Sequence, residues 1–183
     1  MKRVLHRMLD ETEFLSPHGV RALSREYAEH PYSMCIGGEL HSVAYEPAES
    51  LSNLFGGNSN WRGPVWMPLN YLIIDALRQF HHYYGDDFVV ESPTGSGHLL
   101  SLKDIAADLT DRVLSIFTRD EGGRRPVFGS RDMFQNDPLW RDYLPFHEYF
   151  HGENGMGLGA SHQTGWTALV ASLIQEQADV GKA

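Results

Sequence analysis

Four stretches of the chain carry hydrophobic positions at helical spacing. Residues 2–12 place Val4, Leu5, Met8 and Leu9 on one face. Residues 67–84 are apolar nearly all round, through Leu69, Leu72, Ile73, Ile74, Ala76, Leu77 and Phe80. Residues 101–119 form a one-sided stripe of Leu102, Ile105, Leu109, Val113 and Ile116, with Lys103, Asp104, Asp108 and Asp111 outside it. Residues 162–177 are again apolar on most sides, with Trp166, Leu169, Val170, Leu173 and Ile174 and small alanines between. A one-sided stripe belongs to a helix with one wet face, and an all-round apolar helix is enclosed. The order amphipathic, buried, amphipathic, buried therefore predicts two concentric rings of helices, outer alternating with inner. In such an α/α barrel every outer-to-inner connection lies at the same end.

Two connections of that kind are polar and rich in Gly and Trp: residues 58–66, NSNWRGPVW, and residues 147–162, at the start of HEYFHGENGMGLGASHQTGW. The alternation brings them to one mouth although they lie about 90 residues apart. Between the first two helices, residues 32–45 alternate about Gly37-Gly38 and read as a β-hairpin with a two-residue turn, a loop decoration. The segment ESPTGSGHLL reads as a loop before the third helix, where Ser101 and Asp104 form a capping box. Residues 120–160, with many Gly, Pro and Asp, read as long surface loop. His81 and His82 fall at a helix end, where the dipole favours them.

Composition narrows the function classes. The 183 residues are 42% hydrophobic and 11% aromatic, enough for a core in one domain or part of a larger one. A net charge of −9 argues against a nucleic-acid or anionic-membrane partner. No apolar run is long enough to span a bilayer, and the N-terminal residues lack the apolar stretch of a signal peptide. Cys35 is the only cysteine, so no intrachain disulfide forms, which suits a reducing cytoplasm.

The two rich segments carry groups that bind or cut sugars. An exposed tryptophan offers a flat apolar face to a sugar ring, and Arg62 between Trp61 and Trp66 donates to hydroxyls. Trp66 reads as core, and the plain alternative for Arg62 is an ion pair with a carboxylate. Asn58 and Asn60 either contact hydroxyls or form turn hydrogen bonds. Glu148, among Phe146, Tyr149 and Phe150, fits a general base for water; the bland alternative is a solvated loop glutamate. Glu153 is the nearby competitor and reads as more exposed. Residues 147–151 match HExxH letter for letter, but zinc chemistry needs both histidines on one helical face. Pro145, the aromatic run and the following glycines argue against a helix there. Gly155, Gly157 and Gly159 lack nucleotide-loop spacing and read as backbone held close to a ligand or a neighbouring helix. Ser161 reads as the N-cap of a helix that begins with His162 and Gln163, and Gly165 as a point of close helix approach.

At this point NSNWRGPVWMPLNYLIIDAL and EYFHGENGMGLGASHQTGWTALVA resemble the C-terminal part of the catalytic domain of family 63 glycoside hydrolases. These are relatives of the mannosyl-oligosaccharide glucosidases and mannosylglycerate hydrolases, and the long bacterial glucosidases match best in pattern. The similarity extends to MLDETEFLSPHGVRALSREYAEHPY and YYGDDFVVESPTGSG. The resemblance implies a mainly α fold, the C-terminal portion of an (α/α)6 barrel. It implies inverting hydrolysis of α-glycosidic bonds without cofactor or metal. It makes Glu148 the general base and has Trp61 and Arg62 line the sugar site with His162, Gln163 and Trp166; Asn60 joins them from the reading above. The implied partner is an oligosaccharide or glycoside. The family's general acid is an aspartate upstream of these motifs, and nothing here resembles its segment. Residues 1–183 are therefore expected to be one partial domain, the C-terminal third of a larger enzyme. The missing N-terminal part would be its partner, and the apolar faces of helices 67–84 and 162–177 would be partly uncovered. Two other readings stay open: a non-catalytic glycan-binding remnant or barrel-completing subunit, and a zinc hydrolase.

Overall fold

The computed structural model describes residues 1–52 and 60–180. The chain folds as helices joined by small antiparallel sheets. Helix α1 (Lys2–Met8) leads to strands β1 (Leu15–Ser16) and β2 (Gly19–Val20), and the hairpin β3 (Tyr32–Ile36) and β4 (Glu39–Val43) follows. The long helix α2 (Met67–Tyr84) precedes β5 (Val89–Glu91), β6 (Leu99–Ser101) and α3 (Leu102–Ser115). The remainder holds α4 (Asp132–Asn136), β7 (Tyr149–Phe150), β8 (Gly157–Leu158), α5 (Thr164–Thr167) and α6 (Leu169–Val180). Each sheet is a two-stranded antiparallel ribbon: β1-β2, β3-β4, β5-β6 and β7-β8.

The core forms where α2, α3 and α6 pack together. From α2 come Met67, Ile74 and Leu77; from α3 come Leu102, Ile105, Leu109 and Val113; from α6 come Val170 and Leu173. Leu5, Leu9, Leu15, Val65 and Phe150 close it. Pro68 occupies the first turn of α2, where its missing N–H costs nothing, and Gly85 ends the helix at a positive φ. Asn70 is the buried polar residue of this helix. Its side chain accepts from Val20 N–H (2.7 Å) and donates to Val20 C=O (3.1 Å), which fastens β2 to the helix. The expected cap of α3 is present: Ser101 Oγ accepts from Asp104 N–H at 3.2 Å and bonds its carboxyl at 2.7 Å. The hairpin is also as expected, with Ile36 opposite Glu39 and Gly37 and Gly38 both at positive φ, as a tight I′-type turn requires.

Several expectations are corrected. The first helix stops at Met8 rather than residue 12, because residues 10–15 turn back on themselves through Asp10, and Val4 faces solvent. The segment ESPTGSGHLL is not plain loop, since β5 and β6 pair across it. Residues 120–160 are not simply surface loop. They contain α4, β7, a 3₁₀ turn over Pro126–Phe128 and the buried side chains of Val127, Phe128, Tyr149 and Phe150. The fourth helix begins at Thr164 and is interrupted at Ala168. Ser161 does not cap it. Gln163 N–H donates to Phe146 C=O and Phe146 N–H donates to His162 Nδ1, so residues 162 and 163 stay outside the helix, tied to residue 146. Among the described residues Gly165 meets no neighbouring element: the atom nearest an added Cβ is in the Gln163 side chain.

Helix α2 is not enclosed all round. Opposite its buried face, Leu69, Leu72, Phe80 and Tyr83 fall at the 3- and 4-residue spacings of a single stripe, with Leu72 62% and Tyr83 80% exposed. On α6, Ile174 is likewise exposed. These are the uncovered apolar faces anticipated for helices 67–84 and 162–177. A stripe this long attracts another apolar surface. The 183-residue chain is expected to associate in sedimentation velocity, and Leu72→Gln with Phe80→Gln to shift it toward monomer with unchanged far-UV circular dichroism. A monomeric parent with a sharp, reversible melt contradicts this.

Candidate active site

The two Gly- and Trp-rich segments meet, as the helix alternation predicted. Val65 is the junction. Its N–H donates to Phe150 C=O (2.8 Å) and its C=O accepts from Phe150 N–H (2.9 Å). On its other side it bridges Arg21, beside the bond from Ala22 N–H to Pro64 C=O. A Gly152 side chain would collide with the Gly63 carbonyl, so the segments also touch two residues farther along.

Aromatic rings join the same segments. Trp66 is fully buried and sits between Trp61 and Tyr149, with ring centroids at 3.8 Å and 4.7 Å. Its indole N–H donates to Asn60 C=O at 2.9 Å. Trp166 closes the cluster edge-on, 6.3 Å from Trp61. Trp61 lies nearly parallel to Trp66, yet remains 43% exposed. The core reading of Trp66 thus holds, and the buried ring serves as a platform for Trp61.

Asn60 and Arg62 are 1% and 4% exposed. Asn60 donates to the carbonyls of Glu46 and Ala48, and its Oδ1 accepts from Arg62 N–H. Arg62 forms an ion pair with Glu46 at 2.7 Å and bonds Ser50 and Ser52. Asn58 lies outside the described residues. Sequence reasoning missed Glu46, because nothing in its loop marks it as the partner of an arginine 16 residues on.

Glu148 is half-buried at the entrance to β7. Its N–H donates to Ala160 C=O (2.9 Å), and Ala160 N–H donates back to the carboxylate Oε2 (3.1 Å). Gly159 makes room for that carboxylate: a Cβ there would stand 2.7 Å from Oε2, at a φ of +67°. His162 is exposed and stacks on Phe146, with centroids 5.5 Å apart; Gln163 is half-buried at the start of α5.

Glu153, the nearby competitor, is half-buried like Glu148 and its carboxylate is engaged. It accepts from the Tyr45 hydroxyl (2.5 Å) and pairs with the buried Arg21 (3.1 Å). Burial works to raise its pKa, and the bonds from Tyr45 and Arg21 outweigh it, so the carboxyl lies below its ordinary range. Glu153 thus ties its loop to Tyr45 and Arg21, while the Glu148 carboxylate is held by Ala160 N–H.

The HExxH run is extended and leads into β7, as expected from Pro145 and the glycines. His147 is buried against Gly157, whose added Cβ would fall 2.1 Å from the ring. Among the described residues no three His, Cys, Asp or Glu side chains are grouped to hold a metal ion. A wide depression elsewhere is lined by Arg7, Glu13, Arg25 and Glu26 and contains none of the candidate residues.

The two laced segments thus bring stacked tryptophans and the half-buried Glu148 into one region of the fold. Residues 1–167 match the family described as the mannosylglycerate hydrolase MGH1-like glycoside hydrolase domain, and the chain belongs to that family. The resemblance to family 63 enzymes is borne out. An uncharacterized protein of Saccharomyces cerevisiae is 53% identical over 175 residues, covering 94% of this chain and 16% of that protein. The mannosyl-oligosaccharide glucosidase of the same yeast is 25% identical over 175 residues, covering 95% of this chain and 15% of that enzyme. Alpha-glucosidase 2 of Arabidopsis thaliana is 26% identical over 117 residues, covering 64% and 11% respectively. The chain thus spans 16% or less of the length of these curated relatives.

The buried imidazole of His147 makes stability depend on pH. Burial, helped by the Arg131 charge, pushes its pKa from 6.5 down to about 4, and a bond with the Leu158 backbone only partly opposes this. Burial also depresses His18 and His151. An unfolded chain binds protons in that interval that the folded chain does not. Stability is therefore full above about pH 6.5 and falls as pH drops toward 4. Urea midpoints between pH 7 and 4 should show this decline, and His147→Gln should make it shallower. An unchanged slope would remove His147 from the explanation.

Proposed function

We propose that this chain is part of a glycosidase that hydrolyses α-glycosidic bonds with inversion, and that Glu148 is its general base. The observation that supports this most is the lacing of Glu148 to Ala160, which fixes its carboxylate next in sequence to Tyr149, the residue that stacks on Trp66. Membership in a glycoside hydrolase family, with relatives named as glucosidases, supports the reaction class.

In this reading Glu148 takes a proton from the water that attacks the anomeric carbon. A carboxylic acid from outside residues 1–183 protonates the leaving oxygen. The two carboxyl groups stand roughly 6.5–9.5 Å apart, which leaves room for the water. The exposed Trp61 stacks against the sugar, and Trp166, His162 and Gln163 border it. Asn60 and Arg62 act from behind: buried and bonded to the 46–52 loop, they hold Trp61 on its platform. The apolar stripe of α2 fits a mainly helical (α/α)6 barrel in which helices from elsewhere in the polypeptide cover it. The partner is an oligosaccharide or glycoside, and the site takes no cofactor. No helix among the described residues is long and apolar enough to cross a membrane, and the compartment we propose is the cytoplasm.

The test is Glu148→Gln in the full-length natural polypeptide that carries these residues. A general base typically contributes about 10²–10⁴-fold, so kcat should fall by that amount with KM little changed. A rate within a few-fold of the parent excludes the assignment. Trp61→Ala should act mainly on KM. If Glu148→Gln has no effect on rate while maltose still quenches tryptophan fluorescence, the chain is a glycan-binding element instead.

A further inference from the structure

The peptide unit between His147 and Glu148 is restrained at both ends. On one side Glu148 N–H donates to Ala160 C=O. On the other, His147 C=O accepts from the hydroxyl of Thr167 at 2.5 Å. Thr167 is fully buried, in the four-residue helix α5. A helical threonine commonly spends its hydroxyl on the carbonyl four residues back. Thr110 in α3 does this with the Ala106 carbonyl, whereas the Thr167 hydroxyl reaches across 20 residues of sequence instead. The side chain of His147, pressed on Gly157, leaves the segment little freedom to slide. Rotation of this one peptide unit would swing the Glu148 Cα–Cβ bond and carry the carboxylate away from Ala160 N–H.

We propose that Thr167 is a positioning residue for the general base, acting through the carbonyl of His147. The inference rests on Glu148 being the base. Removing the hydroxyl leaves a buried carbonyl without its donor and frees the carbonyl end of the peptide unit. Misplacing a catalytic group by about 1 Å costs on the order of 10²-fold in rate, even when the altered residue never touches substrate. The loss belongs in kcat, because Thr167 forms no part of the tryptophan surface that holds the sugar.

The experiment compares Thr167→Val, Thr167→Ser and Glu148→Gln in the full-length natural polypeptide, with maltose, nigerose and kojibiose as probes. Thermal melts are run alongside to confirm folding. Thr167→Val, which keeps the shape and loses the donor, is expected to lower kcat by about 10- to 100-fold with KM within threefold. Thr167→Ser, which keeps the donor, is expected to recover kcat to within about threefold of the parent. If Thr167→Val keeps kcat within threefold while Glu148→Gln is inactive, the positioning role is wrong and the base assignment survives. An equal loss in the valine and serine variants also overturns it, because a packing defect explains that result. If Glu148→Gln is fully active, both assignments fall together.

Discussion

Everything around the candidate site depends on one backbone junction, the antiparallel exchange of hydrogen bonds between Val65 and Phe150. It draws together two loops of unlike sequence that no helix packing would align to within a bond length. Backbone pairing of this kind has no tolerance for a shift of one residue, since a shift would turn Tyr149 and Phe150 to opposite sides. With the register held, Phe150 enters the helix core and Tyr149 faces Trp66, and Glu148 falls at the edge, beside Ala160. The Arg21 bridge and the Arg21–Glu153 ion pair brace the junction from the N-terminal side.

The site pairs groups of the same chemical type that are held differently. Of two stacked tryptophans one is core and one is exposed. Of two glutamates in one loop, Glu153 is tied to Arg21 and Tyr45 while Glu148 is held by backbone N–H. Such pairing is economical in physical terms. An exposed ring gains little stability of its own, so the buried Trp66 stacked on Trp61 fixes its position.

The long helices were legible because their signals are local: Pro68 falls in the first turn of α2, and Ser101 with Asp104 starts α3. The hairpin was legible from its alternation and its Gly37-Gly38 turn. Two-residue strands such as β7 and β8 are too short for any periodicity to show, and their partners are set by tertiary pairing. The late start of the last helix was hidden for the same reason, since Phe146 holds Gln163 from 17 residues away. In the site, residue types pointed to sugar chemistry, but only the fold reveals that Arg62 is occupied by Glu46 and that Trp66 lies beneath Trp61. The apolar outer stripe of α2 was read as enclosed in a whole barrel and partly uncovered in this chain, and among the described residues Leu72 and Tyr83 are exposed.

The central claim is that Glu148 delivers water to the face of the sugar opposite the departing oxygen. Proton NMR during hydrolysis of an α-linked glucose disaccharide by the full-length natural polypeptide tests it directly, because the two glucose anomers give separate signals before they equilibrate. The account predicts that β-glucose is released first and α-glucose grows in later by mutarotation. Initial release of α-glucose would mean a covalent intermediate and a nucleophilic carboxylate, and would contradict the role given to Glu148.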